Sequence, residues 1–473
     1  MHKTFQEYLC AEEINYQLEN ELDFGIILNA IREHLHDAHW REVLLLLIAQ
    51  QKPKNVAKAI RAVLNNGSEY EEWLYRDLFF AGNCLAENPK GLRGVAGELV
   101  QEILERLLEL EVSRREQVAG EVHLQVYQSF RSLYETDFEA QALEMLKKRS
   151  NLIDEGRLLR YQAELGEKEE VMTTLLTMLQ DKDSVIRLKA VNTLRYFREP
   201  SETVVNALLV YLEDEDPYLR KTVAHALGYW GKDSENAFNT LLDLLQNDNL
   251  AVRWEAAFVI EKLGYKKLGN SIDKMLEALP PQLQDWVFAL VKGDEANLDE
   301  SDAGSQSNIG ILLERLKDEN PILRGGAVSA LGKLGNSSEV IINALLEVLK
   351  DQVPDVCGMA AMALGNLSNS SETVVNALLE KLEDDNSFVR CGSATALGDL
   401  GNTSETIVNA LLGKLEDEDS YVRQRVSDAL GKLGKKSNHI LPTIVQWIQQ
   451  HQDSEYVGRG IDALWYLVVG EEN

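Results

Sequence analysis

His34, His36 and His39, with Glu33 and Asp37 among them, form the only metal-like cluster in the sequence. A zinc site needs donors that converge, as the histidines of H-E-x-x-H do on one helical face. These residues alternate too quickly for one face, and no H-E-x-x-H is present, so the cluster reads as polar surface. Nucleophilic chemistry would show itself as G-x-S-x-G or as a paired cysteine and histidine, and neither pattern occurs. A phosphate-cradling loop would read G-x-x-x-x-G-K-[ST]. Gly332-Lys333 and Gly431-Lys432 come nearest, but both sit inside the repeated string Ala-Leu-Gly-Lys-Leu-Gly, with no Ser or Thr after the lysine. The sequence therefore points to no catalytic residue, no metal and no cofactor, and leaves binding as the chemistry to look for.

Bulk charge narrows the partner. Asp plus Glu (77) outnumber Lys plus Arg (48), for a formal charge of -29. Nonspecific nucleic-acid binding needs a basic footprint, and an anionic membrane would repel such a chain. Solubility accounts for the acidity, and so would a protein partner with a basic surface. The four cysteines, Cys10, Cys84, Cys357 and Cys391, form no C-x-x-C pair, as in a reducing, intracellular protein. With no apolar run near the roughly 18 residues of a membrane span and no apolar signal core, the expected location is cytoplasmic.

The elements that must carry a binding surface repeat. Arg187, Arg220 and Arg253 are spaced by 33 residues, and so are Arg324, Cys357, Arg390 and Arg423. Residues 201–209 return letter for letter at 371–379 and nearly so at 404–412. A fixed period in the 30s signals a stack of one helical hairpin. Ser201, Ser371 and Ser404 stand at N-cap positions with Glu following, where its charge suits the helix dipole. Val204, Leu208, Leu209 and Leu212 fall at helical spacing, an acidic turn at 213–216 stops the helix, and Asp216-Pro217 starts the next. That second helix buries Leu219, Val223, Ala224, Ala226 and Leu227 and closes near Gly231, as its copies do at Gly264, Gly335, Gly401 and Gly434. Helices this short are marginal alone, so each must bury its apolar face on the neighbouring copies. The expected fold is all-α, a right-handed α-α superhelix.

These residues resemble the HEAT family, in which an Asp of the inter-helix turn and an Arg of the second helix form a ladder between layers. The matching positions are Asp181 and Arg187, Asp214 and Arg220, Asp318 and Arg324, Asp384 and Arg390, and Asp417 and Arg423. Asn247 stands in for the acid before Arg253, and Cys357 replaces the arginine after Asp351. The resemblance gives these charges a structural role and places the second helices on the concave side. Positions two, five and nine after each marker lie on one helical face and vary between copies. They include Tyr229, Phe258, Met359, Met362, Thr395 and Arg425, with Trp254 one column over, and form the candidate protein-binding groove. Gly325, Gly326, Gly358 and Gly392 would let a partner backbone approach.

The start of the chain resembles a second family. The string His2-Lys3-Thr4-Phe5-Gln6-Glu7-Tyr8-Leu9 is similar to the helix that closes the NTPase module of bacterial NACHT proteins, a branch of the STAND signalling ATPases. Trp40-Arg41-Glu42-Val43 with its leucine run, and residues 78–87, resemble the next two helices of that family. The resemblance implies that the chain is the ligand-sensing region C-terminal to a NACHT ATPase, whose nucleotide-binding module is missing, encoded separately or lost upstream of Met1. It implies a protein ligand in trans, the ATPase module in cis, and a role in bacterial defence against phage. The repeats also look like the HEAT-like units of phycobilisome lyases, which handle bilins. A free-standing scaffold is the third reading.

The expected organisation is a helical segment at 1–90, irregular helix pairs at 91–165, and a repeat array at 166–470. Counting 33 from Arg253 reaches Trp286, and the next interval is 38 residues, with the excess placed in an acidic loop at 293–308. Residues 437–470 form an altered last pair, with Trp465 and Tyr466 over the end of the core.

Overall fold

The computed structural model describes residues 3–21, 23–197, 202–230 and 303–470, with positions 240, 241, 243, 244, 247, 252, 256 and 259 between them. Ser201, Gly231, Arg253, Trp254, Phe258, Gly264 and Trp286 lie outside the described residues, as does the side chain of Tyr229. The fold is an all-α repeat superhelix, and every regular element among the described residues is helical. The chain divides into two compact units, Met1–Ala207 and Leu208–Asn473.

In the first unit the leucine run becomes helix Arg41–Ala49, with Val43, Leu44, Leu45, Leu47 and Ile48 buried. Helix Lys3–Glu21 packs on it, but Tyr8 and Leu9 remain 44% exposed. Helix Leu92–Val112 packs against both Pro53–Leu64 and Arg76–Ala86, tying together residues on the two sides of position 90. The first regular hairpin is Lys168–Leu179 with Ser184–Leu194, and Asp183 caps its second helix by accepting from the Val185 amide at 2.9 Å.

Helix Arg76–Ala86 carries a pH-dependent element at its start. The orphan amides of a first turn need acceptors, and Glu71 takes two of them, Asp77 at 2.9 Å and Leu78 at 3.4 Å. Burial outweighs those bonds and pushes the Glu71 carboxyl up from its ordinary 4.5 to about 7. The folded state then holds more protons here than the unfolded chain, so this contribution is complete below about pH 4.5 and is lost as pH rises through 7. Allowing for solvent screening of a half-buried group, the loss is about 1–2 kcal/mol. Denaturant unfolding at pH 5 and pH 7 should show that slope in the native chain and lack it in Glu71→Gln. Equal slopes in both would refute the assignment.

The second unit contains the hairpins Ala303–Arg315 with Pro321–Lys333, Glu339–Val348 with Pro354–Asn366, Glu372–Lys381 with Ser387–Leu400, Glu405–Gly413 with Ser420–Gly434, and Ile440–Gln450 with Val457–Val468. Helix Ala303–Arg315 begins inside the stretch expected to be a loop, so residues 303–308 are helical. The loop expectation for 293–302 lies outside the described residues. Second helices stack on second helices through their small residues. A Cβ on Gly332, Gly365 or Gly398 would lie 2.9, 2.6 or 2.8 Å from an atom of Ala363, Ala396 or Ala429 in the next layer.

The termini of these helices follow the sequence in position but not always in mechanism. Ser371 and Ser404 occupy N-cap backbone geometry, yet their hydroxyls cap nothing. The turn is held instead by Asn369 and Asn402, whose side-chain oxygens each accept a serine amide at 3.0 Å. Asp216 does cap, accepting from Tyr218 at 2.9 Å ahead of Pro217–Trp230. Gly401 ends its helix at φ 67, whereas Gly434 stays helical, where a Cβ would strike Leu467. At the C-terminal end Trp465 is 4% exposed, and Tyr466 lies where a Cβ on Gly431 would reach it.

Candidate functional site

The ladder charges are built from the turn outward. Asp318, Asp351, Asp384 and Asp417 each accept the amide two residues on, at 2.9, 2.9, 3.1 and 3.0 Å, which rigidifies the inter-helix turn. The arginine of the same hairpin does not bind that carboxylate. Arg390 directs Nη1 to the carbonyls of Asp384 and Asp385, both at 2.9 Å, and Arg324, Arg423, Arg220 and Arg187 grip the matching carbonyls of their own turns. The ion pair runs to the next layer. Arg324 clamps Asp351 through Nε at 2.6 Å and Nη2 at 2.8 Å, and Arg390 clamps Asp417 through the same atoms at 2.9 and 2.7 Å. These hydrogen bonds hold Asp351 below the usual carboxylate range and raise Arg390.

Where the incoming arginine is missing, a basic residue three positions before the aspartate replaces it. Cys357 cannot reach Asp384, and its thiol donates to the Leu349 carbonyl at 3.0 Å. Lys381 pairs with Asp384 instead, also at 3.0 Å. Asp318, whose preceding marker position is Trp286, is paired by Arg315 at 3.2 Å. At the far end Arg423 stacks over the Tyr456 ring, 4.4 Å from its centroid. Among the described residues these groups make turn and interlayer contacts.

The variable columns have a different environment. Met359, Met362 and Thr395 are half-buried and Arg425 is exposed, on three successive second helices. Thr395 donates to the Cys391 carbonyl at 2.9 Å, Arg425 pairs with Asp428 at 3.3 Å, and Lys432 reaches across the layer to Asp399 at 2.6 Å. Gly358 and Gly392 do not serve a partner as expected. A Cβ on Gly358 would meet Phe388 at 2.5 Å, and one on Gly392 would meet the Gly358 carbonyl at 2.4 Å, so the neighbouring layer occupies that space. Gly325 likewise faces the Met359 sulfur.

The structure adds a column that the sequence reading missed. Two residues before the marker, Tyr218, Phe388 and Tyr421 are 61%, 40% and 73% exposed. Offsets of −2, +2, +5 and +9 share one helical face, so each aromatic heads the stripe of its own helix. The signal was an apolar residue immediately before the buried Leu219, Val389 and Val422 at constant offset. Only the helix phase distinguishes it from core.

In the first unit His36 leaves the histidine cluster. Its Nε2 lies 2.7 Å from Asp77 Oδ1 and 2.9 Å from Ser68 Oγ, and that hydroxyl donates to Asp77 at 2.5 Å. A catalytic relay places the acid on the opposite ring nitrogen from the serine. Here both sit on one nitrogen and the serine proton is directed at the acid, so the three groups fasten a turn to helix Arg76–Ala86. His34 stacks on Trp40 at 4.0 Å. Among the described residues no group of His, Cys, Asp and Glu could hold a metal, and no helix is long and apolar enough to cross a membrane.

The family model described as HEAT repeats matches residues 172–261, 205–285 and 342–413. No curated protein sequence matches the chain. Solved structures that align with it include human deoxyhypusine hydroxylase in complex with glycerol, at 22% identity over 56% of this chain and 97% of that one, with a TM-score of 0.29. They also include the karyopherin Kap121p bound to the extreme C-terminus of the protein phosphatase Cdc14p, at 13% identity over 93% and 53%, with a TM-score of 0.36. An engineered protein aligns at 15% identity over 89% and 97%, with a TM-score of 0.27.

Proposed function

We propose that this chain of HEAT repeats is a non-catalytic protein-binding scaffold, whose partner lies along the stripe headed by Phe388 and Tyr421 and continued by Met359, Met362, Thr395 and Arg425. The observation that carries the reading is the exposure of aromatics at a fixed repeat offset, on a face whose glycines and alanines are already used in packing. Packing does not require an aromatic that stays 73% exposed, and Tyr at a rigid, half-wet position is the residue type that anchors interfaces. Acidic turns such as 416–418 border the stripe and favour a partner with a basic surface.

The finer reading is that the scaffold is the sensor region of a NACHT-type signalling ATPase, supplied in cis or as a separate chain. It rests on the three N-terminal motifs, two of which belong to the buried helices Arg41–Ala49 and Arg76–Ala86. A ligand switches such a pair only by preferring one arrangement of the two over the other.

A photo-crosslinking residue placed at Tyr421, with a control at exposed Glu372 on a first helix, tests the scaffold. Position 421 should capture one protein in near-stoichiometric yield. The triple variant Met362→Ala, Phe388→Ala, Tyr421→Ala should bind that protein at least ~10-fold more weakly while unfolding normally, since truncating an aromatic anchor costs about 2 kcal/mol. Unchanged affinity would move the interface elsewhere. A captured partner, or an upstream reading frame, containing a Walker loop would support the sensor reading. Without either, the free-standing scaffold would stand.

A further inference from the structure

The first unit contains a cavity of about 440 Å³, where the end of helix Leu92–Val112, helix Gly120–Arg131, the start of Glu155–Gln162 and one face of Ser184–Leu194 converge. That volume suits a small molecule. Its floor is a buried charge network. Arg157, 8% exposed, holds Glu111 through Nε and through Nη2 at 2.7 Å, and Nη2 also donates to the His123 carbonyl at 2.9 Å. The Tyr161 hydroxyl donates to the same carboxylate at 2.6 Å, and burial and the Glu111 charge keep that phenol protonated. The other lining carboxylate, Asp154, caps the helix by accepting the Arg157 amide at 3.1 Å.

Both acids are thus occupied, while donors remain. Arg157 Nη1 donates to no described residue, and the Asn192 side chain bonds to none, although both residues line the cavity. Among the described residues the Lys189 ammonium pairs with exposed Glu155, at 3.6 Å. Arg160 forms one wall, with its guanidinium 3.8 Å from the centroid of the Tyr196 ring, and Leu152 and Ile153 form an apolar lip. A guanidinium edge on the cavity can take a charged acceptor there, and the donors beside it are the Lys189 ammonium and the Asn192 amide.

We infer that this cavity binds a small organic oxyanion, a carboxylate or a phosphate ester. The anionic end meets Arg157 Nη1, Lys189 and Asn192, and the apolar end lies between Leu152 and Tyr196. The site is in the other unit from the protein-binding stripe and stands independently of it. It gives the chain a small-molecule input.

Calorimetric titration of the full chain at fixed ionic strength, with phenyl phosphate and with benzoate, tests the assignment. One-site saturable binding of at least one probe is expected. Phenyl phosphate alone would identify a phosphate ester, and benzoate alone a carboxylate. Lys189→Ala and Asn192→Asp, both on an accessible helix face, should each weaken binding at least ~10-fold, with melting curves confirming that the variants fold. Lys148→Ala, which removes an exposed charge outside the cavity, should leave binding unchanged. Absence of saturable binding by both probes, or equal affinity in the Lys189 and Asn192 variants, would overturn the site.

Discussion

Arg390→Ala should cost the second unit about 3–5 kcal/mol, the range for removing one partner of a buried ion pair. Arg390 and Asp417 have side chains only 6% and 5% exposed, and the guanidinium spends its donors on two carbonyls of its own turn and on the Asp417 and Glu418 carboxylates of the next. Truncation leaves Asp417 charged and desolvated, with the Asp419 amide as its remaining described hydrogen bond. It also frees the Asp384 and Asp385 carbonyls, so each of the two layers loses one of the ties that hold its turn. Lysine at 390 would recover only part, because a point charge cannot serve the fork. A repeat stack unfolds layer by layer, so the measurement is hydrogen exchange. Protection should fall most in Ser387–Leu400 and Ser420–Gly434 and least in Glu339–Val348. A change below about 1 kcal/mol would mean that solvent screens the rung as it does a surface pair.

That rung shows what the sequence could and could not disclose. The 33-residue period identified the aspartates and arginines, because an interlayer contact recurs whenever the layer recurs. It could not tell which aspartate each arginine binds, since spacings of 6 and of 27 residues recur equally. The compensation by Lys381 and Arg315 was readable only once the direction of the rung was known. Exposed Tyr421 and buried Val422 are adjacent apolar letters, and helix phase separates them. The cavity in the first unit was illegible for a different reason. Lys189, Asn192 and Tyr196 fall two, five and nine after the Arg187 marker, but Glu111 and Arg157 come from helices outside the repeated text, so no pattern gathers all of them. Stack and core were thus written in periodicity, while the buried charges of the small-molecule site reach it by tertiary placement.

Gly365→Ala combined with Gly398→Ala should destabilise the same unit, although alanine is the better helix former by roughly 1 kcal/mol at each site. The added methyl groups would lie 2.6 Å from Ala396 Cα and 2.8 Å from Ala429 Cα. Those atoms are backbone, so relief requires two helices to move apart, and overpacking of this kind costs about 1–3 kcal/mol per site. Gly413→Ala has the opposite sign. Nothing lies within 4 Å of its Cβ position, and the gain should be about 0.5–1 kcal/mol. Urea midpoints for the three variants separate the terms. The consequence reaches function, because the distance set at Gly398 and Ala429 fixes how far the stripe of Ser420–Gly434 stands from that of Ser387–Leu400. A partner anchored on both Phe388 and Tyr421 should therefore bind Gly398→Ala less well, even where the variant remains folded. If Gly398→Ala proves neutral in both stability and binding, the layers are not held at that distance by the glycine, and the stripe is not the rigid ruler the binding proposal requires.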